Sequence, residues 1–390
     1  MWTFSRFNSV RCSLLAALLA AAVPAQAKKP RNPHWGKKRP AYSQIAASAA
    51  TAVSSGAAAT PAGPPMPRLP AGRWRPEIKA ALETFIAAHG KDSRGYDAQQ
   101  PPVAALAFND VAVINDVGLA VFQRMVDRAD FKFNDAFWQE VPLAYGRQRL
   151  RAAYVIFLEQ PFSTWMRQPS YQQYRKGFFQ AYRDICAKLG QVDCRTWLAR
   201  LLIGYGEEEL AAYTRAALGA EYLRPLGTEL VADSMDDRDP VPVRHGLVWV
   251  PELRALIDLL RGSGFDVWVI DANEQHEFEV VAAQADFDPS RVQGIRSRVV
   301  AEKLSGVILQ PVPVRGGKAN VVAAQLGRPP LLVVGSRRDD QELLECAAPK
   351  ALHLLLDRDD PALLRLAQDR GWLIQPAFPA LPPTPVKPKP

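Results

Sequence analysis

The stretch Pro101 to Gly118, PPVAALAFNDVAVINDVG, decides the fold. Its apolar run Val103–Phe108 is closed off by prolines before it and by Asn109-Asp110 after it. A run this short and this uniformly apolar predicts a strand buried on both faces rather than a helix. Upstream, Ile78, Leu82, Phe85 and Ile86 recur at helical spacing, and a Gly90 to Pro102 loop joins that helix to the strand. Downstream, residues 119 to about 230 carry only helical patterns, rich in aromatics, with turn residues at Asn134-Asp135, Gln168-Pro169 and Gly190.

After Pro242 the pattern changes. A helix from Pro251 to Arg261 stops at Gly262 and Gly264, and Phe265 to Ile270 follows as a strand. A helix near Glu277 to Ala285, extended segments at 292–300 and 307–314, and a helix from Gly317 to Leu326 come next. Leu331 to Gly335 is a further buried strand, then come another helix and the strand Ala351 to Leu356. Strands alternating with helices predict a parallel, Rossmann-like sheet in a three-layer α/β/α sandwich, with the all-helical block as an insertion after the first strand. In such sheets ligands meet the carboxyl ends of the strands, so Phe108-Asn109, Asp271-Ala272 and Gly335-Ser336 are expected to share one crevice.

These residues resemble the haloacid dehalogenase superfamily, in particular its phosphoserine-phosphatase-like branch with a helical cap. The resemblance covers residues 74 to about 375 and rests on ALAFNDVAVINDV (105–117), GFDVWVIDAN (264–273), RGGK (315–318) and LLVVGSRRDD (331–340). It implies an α/β core and Mg²⁺-dependent phosphomonoester hydrolysis through an aspartyl-phosphate. It also implies where the chemistry sits. The nucleophile and the general acid fall on Ala107 and Asn109, the phosphate-holding Ser or Thr on Asp271, the neutralising Lys on Lys318, and the metal-binding acidic pair on Ser336 and Asp340.

Most of those positions carry the wrong residue. An alanine offers no nucleophile, an asparagine amide is no general acid at neutral pH, and a carboxylate at 271 repels phosphate. Asp340 is the sole metal-ligand position kept, and Mg²⁺ needs several charged oxygens. The expectation is a phosphatase fold without phosphatase chemistry: no cofactor, and a small molecule or envelope protein bound between cap and core. The competing reading is a Mg²⁺-dependent phosphomonoesterase, active on phosphoserine- or phosphorylcholine-like substrates with unrecognised residues. A buried Lys318 needs a partner, and Asp271 is the expected one, a separation beyond ~6 Å excluding the pair.

Composition narrows the function classes. The chain has 390 residues and a formal net charge of +8, but residues 1–71 hold nine Lys or Arg and no acid. Subtracting them leaves 39 basic against 40 acidic residues, so no nucleic-acid surface is expected. Residues 1–27 read as a signal peptide, with Arg6 and Arg11, an apolar run Leu14–Val23 and Ala25-Gln26-Ala27 as cleavage site. That predicts a periplasmic or secreted protein cut near Ala27, with no transmembrane segment afterwards. Residues 28–71 read as a disordered basic, then Ala/Pro-rich linker, 72–118 and 241–378 as the core, 119–240 as the cap and 379–390 as a Pro-rich tail.

Four candidates remain. Cys186 and Cys194 flank the Gly190 turn and either form a disulfide or stay as thiols. The cap aromatics either line a ligand pocket, with Trp138 and Trp165 beside the turns as members, or make up the cap's own core. His276 either stands in as a base or is solvated at a helix start. The acidic run Asp233 to Asp239 reads as a solvated linker.

Overall fold

In a computed structural model of the chain, the described residues are 66–379. The segment read as a signal peptide, most of that read as a linker and nearly all of that read as a Pro-rich tail lie outside them. Six parallel strands form the central sheet: β1 (Val103–Leu106), β2 (Asp266–Glu274), β3 (Val292–Ile295), β4 (Leu332–Gly335), β5 (Leu352–Asp357) and β6 (Leu373–Pro376). Their order across the sheet is β6-β5-β4-β1-β2-β3. β1 lies between β2 and β4, with Ala104 opposite both Val267 and Leu332. All four of its residues are buried, as the unbroken apolar run requires when helices cover both faces.

The helix Pro251–Gly262 places Pro251 at its start, where the missing N–H costs nothing, and gives way to Gly264 at φ 84° before β2. Helices Gln275–Ala283 and Pro361–Asp369 complete the crossovers around β3 and β6. The last helix and β6 extend the sheet beyond Leu356, where the sequence reading ended. The segment read as extended at 292–300 is divided between β3 and the first strand of an antiparallel hairpin, Ser297–Val300 with Lys303–Ile308, and of 307–314 only the first two residues are strand. Among the described residues no helix is long and apolar enough to cross a membrane.

Between β1 and β2 the chain leaves the core and returns through a ribbon of Val113–Ile114 paired antiparallel with Val248–Trp249. The insertion between them is mainly helical, with its long helix Pro169–Leu189 ending at Gly190 (φ 100°) and Gln191–Arg200 following at once. It owns a second hydrophobic core, in which Phe137, Trp138, Phe157, Tyr174 and Phe178 pack together. The insertion is not all helix, however. Gly227–Val231 and Val241–His245 form an antiparallel hairpin against the long helix. The acidic run read as a solvated linker is tied down as its turn, Asp237 to Lys176 at 2.7 Å and Asp239 to Arg183 at 2.6 Å. Alternation in GTELV and VPVRH is blurred by Pro and charge, which hid these strands from a periodicity reading.

Candidate functional site

The carboxyl ends of β1, β2 and β4 meet in one crevice. Ala107 follows β1 and donates its N–H to Val334, fully buried and without a polar side chain. The backbone then turns, and the N–H groups of Phe108 and Asn109 converge on a single oxygen, Asp271 Oδ2, at 2.8 and 2.7 Å. The other oxygen of Asp271 accepts the N–H of Ala272 at 2.7 Å and Lys318 Nζ at 3.3 Å. Lys318 donates as well to Asp340 Oδ1 at 2.5 Å, and Asp340 Oδ2 accepts the N–H groups of Ser336 and Arg337. A Cβ on Gly317 would stand 1.7 Å from the carbonyl oxygen of Val312, so glycine there is what lets the turn before Lys318 close.

Asp271, Lys318 and Asp340 are all buried. Burial alone would neutralise Asp271, but Lys318 and the three backbone donors outweigh it and hold its pKa below the ordinary carboxylate value. Lys318 is likewise pushed down by burial and more strongly up by Asp271 and Asp340, so it stays charged. The site is therefore a closed ionic triad, one cation between two carboxylates, with the expected Asp271–Lys318 contact made directly.

Asn109 is placed by structure rather than by proton transfer. Its Oδ1 accepts from the N–H of Val117 at 3.1 Å, and its Nδ2 donates to Asn273 Oδ1 at 2.9 Å. Asn273 Oδ1 also accepts from the N–H of Gly118, so the two amides fasten the start of helix Val117–Arg128 to β2. An aspartate at 109 could not donate to Asn273. Ser336 is buried with an unpartnered hydroxyl.

Magnesium does not fit these residues. The positions of Ala107 and Ser336 lack carboxylates, and both oxygens of Asp340 are already engaged by Lys318 and by backbone donors. Among the described residues no cluster of three His, Cys, Asp or Glu side chains could hold a metal ion. Mg²⁺ demands near-octahedral, largely charged oxygen ligands, and Asp271 and Asp340 have both oxygens engaged by Lys318 and backbone donors.

Other candidates separate. His276 is held by carboxylates on both sides of its ring, with Glu274 2.9 Å from Nδ1 and Glu207 3.5 Å from Nε2. Burial lowers its pKa, yet the two glutamates raise it to about 9, so it is protonated at neutral pH. Trp138 and Trp165 are buried in the insertion's own core, and neither lines the main cavity. The indole N–H of Trp165 is spent on the carbonyl of Gln160. Cys186 and Cys194 are bonded, with Cα atoms 4.9 Å apart.

The cavity that does open between cap and core encloses about 560 Å³. Leu119, Phe122, Phe179 and Tyr182 form its apolar side, and Arg195, Arg244 and Arg337 its charged side. Phe179 and Tyr182 are among the cap aromatics the sequence offered as pocket members, whereas nothing in the local spacing sets Leu119, Phe122 or the arginines apart. Asp116 caps helix Val117–Arg128 through the N–H of Leu119 and pairs with the buried Arg195 at 2.8 Å, closing the floor between this cavity and the triad.

A central first strand, a neighbour order of β4-β1-β2, an insertion rooted just after β1, and a lysine and an aspartate at the strand ends decide the architecture. The fold is haloacid-dehalogenase-like. Among solved structures, the chain is similar to a conserved protein of unknown function from Anaerococcus prevotii DSM 20548 (TM-score 0.69, 19% identity, 78% of this chain and 93% of that one). Looser likenesses include a protein of unknown function from Bordetella pertussis Tohama I (TM-score 0.47, 12% identity, 71% and 98% covered). A probable phosphoserine phosphatase from Vibrio cholerae follows (TM-score 0.37, 14% identity, 70% and 61% covered). No family model and no curated protein matches the sequence. The likeness is one of fold, and the haloacid-dehalogenase-like frame says nothing by itself of activity.

Proposed function

We propose that this haloacid-dehalogenase-like protein does not hydrolyse phosphomonoesters and instead binds a small molecule in the cavity between cap and core. One observation carries the reading. The backbone donors after β1 and β2 and the Lys318 ammonium, the groups that would cradle a phosphate in a phosphatase of this fold, are occupied by the protein's own Asp271. An internal carboxylate with four donors is held at no translational cost, and an incoming phosphate would have to expel it and then face it. With alanine at 107, no carboxylate stands at the end of β1 to attack phosphorus.

The protein is further proposed to be exported, acting in the periplasm or outside the cell on a small molecule or an envelope protein. That part is supported by the charge and apolar pattern of residues 1–27 and by the bonded Cys186 and Cys194. The experiment is a phosphomonoester panel, with and without Mg²⁺, run beside Asp340→Asn. Background rates in both proteins are expected. Turnover that needs Mg²⁺ and vanishes in the variant would overturn the non-catalytic reading in favour of a phosphomonoesterase.

A further inference from the structure

Three arginines converge on one carboxylate at the edge of the cavity. Asp110 sits in the turn after β1 at φ 56° and is fully buried. Its Oδ1 lies 3.3 Å from Arg244 of the insertion's hairpin and 3.6 Å from Arg358, which follows β5. Its Oδ2 lies 3.3 Å from the second Arg244 nitrogen and is paired with Arg337, which follows β4. Arg358 also donates to the backbone carbonyl of Asp110 at 2.8 Å, and Asp110 Oδ1 accepts the N–H of Asn115 at 3.0 Å. Three guanidinium groups thus share one buried carboxylate at the seam of core and cap, and the side chains of Arg244 and Arg337 remain partly exposed.

Like charges packed this way persist where a counter-ion completes them. Arg244 and Arg337 face the cavity. Carboxylates on the same wall offset them in part: Asp116 pairs with Arg195 and also acts on Arg244, and Asp339 acts on Arg337. Phe122, Phe179 and Tyr182 line the same cavity.

We infer that the cavity takes a small organic anion, with its carboxylate or phosphate head on Arg244 and Arg337 and its apolar body against Phe122, Phe179 and Tyr182. This rests on the reading of the cavity as a ligand site and adds the class of ligand. The head lies on the Asp110 side, next to the triad because Arg337 also donates its backbone N–H to Asp340, and with alanine at 107 a phosphate there is bound and not cleaved. Arginine suits the task because its planar fork matches two oxyanion oxygens, whereas a single ammonium is a point charge.

The test titrates the full chain by calorimetry with phenyl phosphate, phenylacetate and the uncharged 2-phenylethanol. At least one anion is expected to bind about tenfold or more tightly than the alcohol and to weaken with added salt. Arg244→Gln should lose about tenfold in that affinity. The Arg244 side chain is half exposed and Asp110 keeps Arg337, Arg358 and Asn115, so the variant should fold, which its melting curve checks. A second variant, Leu119→Trp, fills the cavity. Preference for phenyl phosphate or phenylacetate tells which head the site takes. Equal affinity for the alcohol, or unchanged anion binding by Arg244→Gln, overturns the anion class. If Leu119→Trp still abolishes binding in that case, the cavity reading stands. Binding of no probe at millimolar concentration overturns both, and binding that survives Leu119→Trp places the ligand elsewhere. Release of phosphate from phenyl phosphate would instead remove the non-catalytic reading.

Discussion

Replacing Lys318 by methionine tests whether the triad is ionised, because the side chain keeps its length and loses only its charge. Lys318, Asp271 and Asp340 side chains are 2%, 7% and 4% exposed, so little solvent is available to the carboxylates left behind. Breaking a buried pair by removing one partner costs about 3–5 kcal/mol, most of it the stranded charge. The backbone donors to Asp271 and Asp340 remain and keep the loss inside that range. Lys318→Met is therefore expected to lower stability by about 3–5 kcal/mol at pH 7, a Tm drop of about 6–10 °C at roughly 2 °C per kcal/mol.

The pH dependence fixes the sign. In the native protein the pKa of Asp271 is depressed, so its contribution is present above the ordinary value of 3.8 and lost as pH falls through the lower folded value. In the variant, the burial of Asp271 is unopposed by an ammonium and its pKa rises. The penalty is then largest above that raised value and shrinks as pH falls through it. Melting curves recorded by circular dichroism from pH 4.5 to 7.5 should bring the two proteins together at the acid end. Lys318→Met combined with Asp271→Asn should be more stable at pH 7 than Lys318→Met alone. A loss below about 1 kcal/mol at pH 7, or a gap unchanged with pH, would refute a buried ionised triad.

Asp271→Ser should vacate the donors of Phe108, Asn109 and Ala272. Inorganic phosphate is then expected to raise the Tm of the variant in a concentration-dependent way and leave the native protein unmoved, and hydrolysis should stay at background because residue 107 is still alanine. His276 has a pKa of about 9 against an ordinary 6.5, so the stability it contributes is complete below 6.5 and is lost as pH rises through 9. Between pH 7.5 and 10 the native protein should therefore lose more Tm than His276→Gln; parallel curves would show that the pairing with Glu207 and Glu274 contributes nothing.

The core strands were legible because β1 and β4 are covered on both faces, and a continuous apolar run such as Val103–Leu106 or Leu332–Gly335 has no other use. Lys318 and Asp340 could be read from short motifs, since Lys318 follows the glycine pair that opens its helix and Asp340 the turn after β4. The hairpin 227–245 was not legible, because it is held by charge: Arg175, on the long helix, grips Glu229 at 2.5 Å and Asp127 at 2.6 Å. Likewise no local pattern announces the arginine cluster. Arg244 and Arg358 lie 134 and 248 residues from Asp110, and only the sheet order brings β4, β5 and the hairpin to it. Trp138 and Trp165 misled for the opposite reason: proximity to a turn in sequence says nothing of which side of a helix faces the cavity.

The substitutions at 107 and 271 explain each other. Ala107 is fully buried and next to the two N–H groups that bind Asp271 Oδ2, so an aspartate at 107 would bring a third carboxylate to a site with one ammonium. A nucleophile at 107 and a carboxylate at 271 are in this way electrostatically exclusive, and either the phosphate cradle or the internal anion can be kept. Ala107→Asp alone is accordingly expected to destabilise the protein by several kcal/mol at neutral pH and to restore no hydrolysis. Adding Asp271→Ser should recover much of that loss, because the count returns to two carboxylates on Lys318. The measurement is a double-mutant cycle on chemical denaturation, with an expected favourable coupling of about 1–3 kcal/mol. Additive effects of the two changes would mean that 107 and 271 do not compete for one charge, and the account of Asp271 as an occupant of the phosphate position would fall with them.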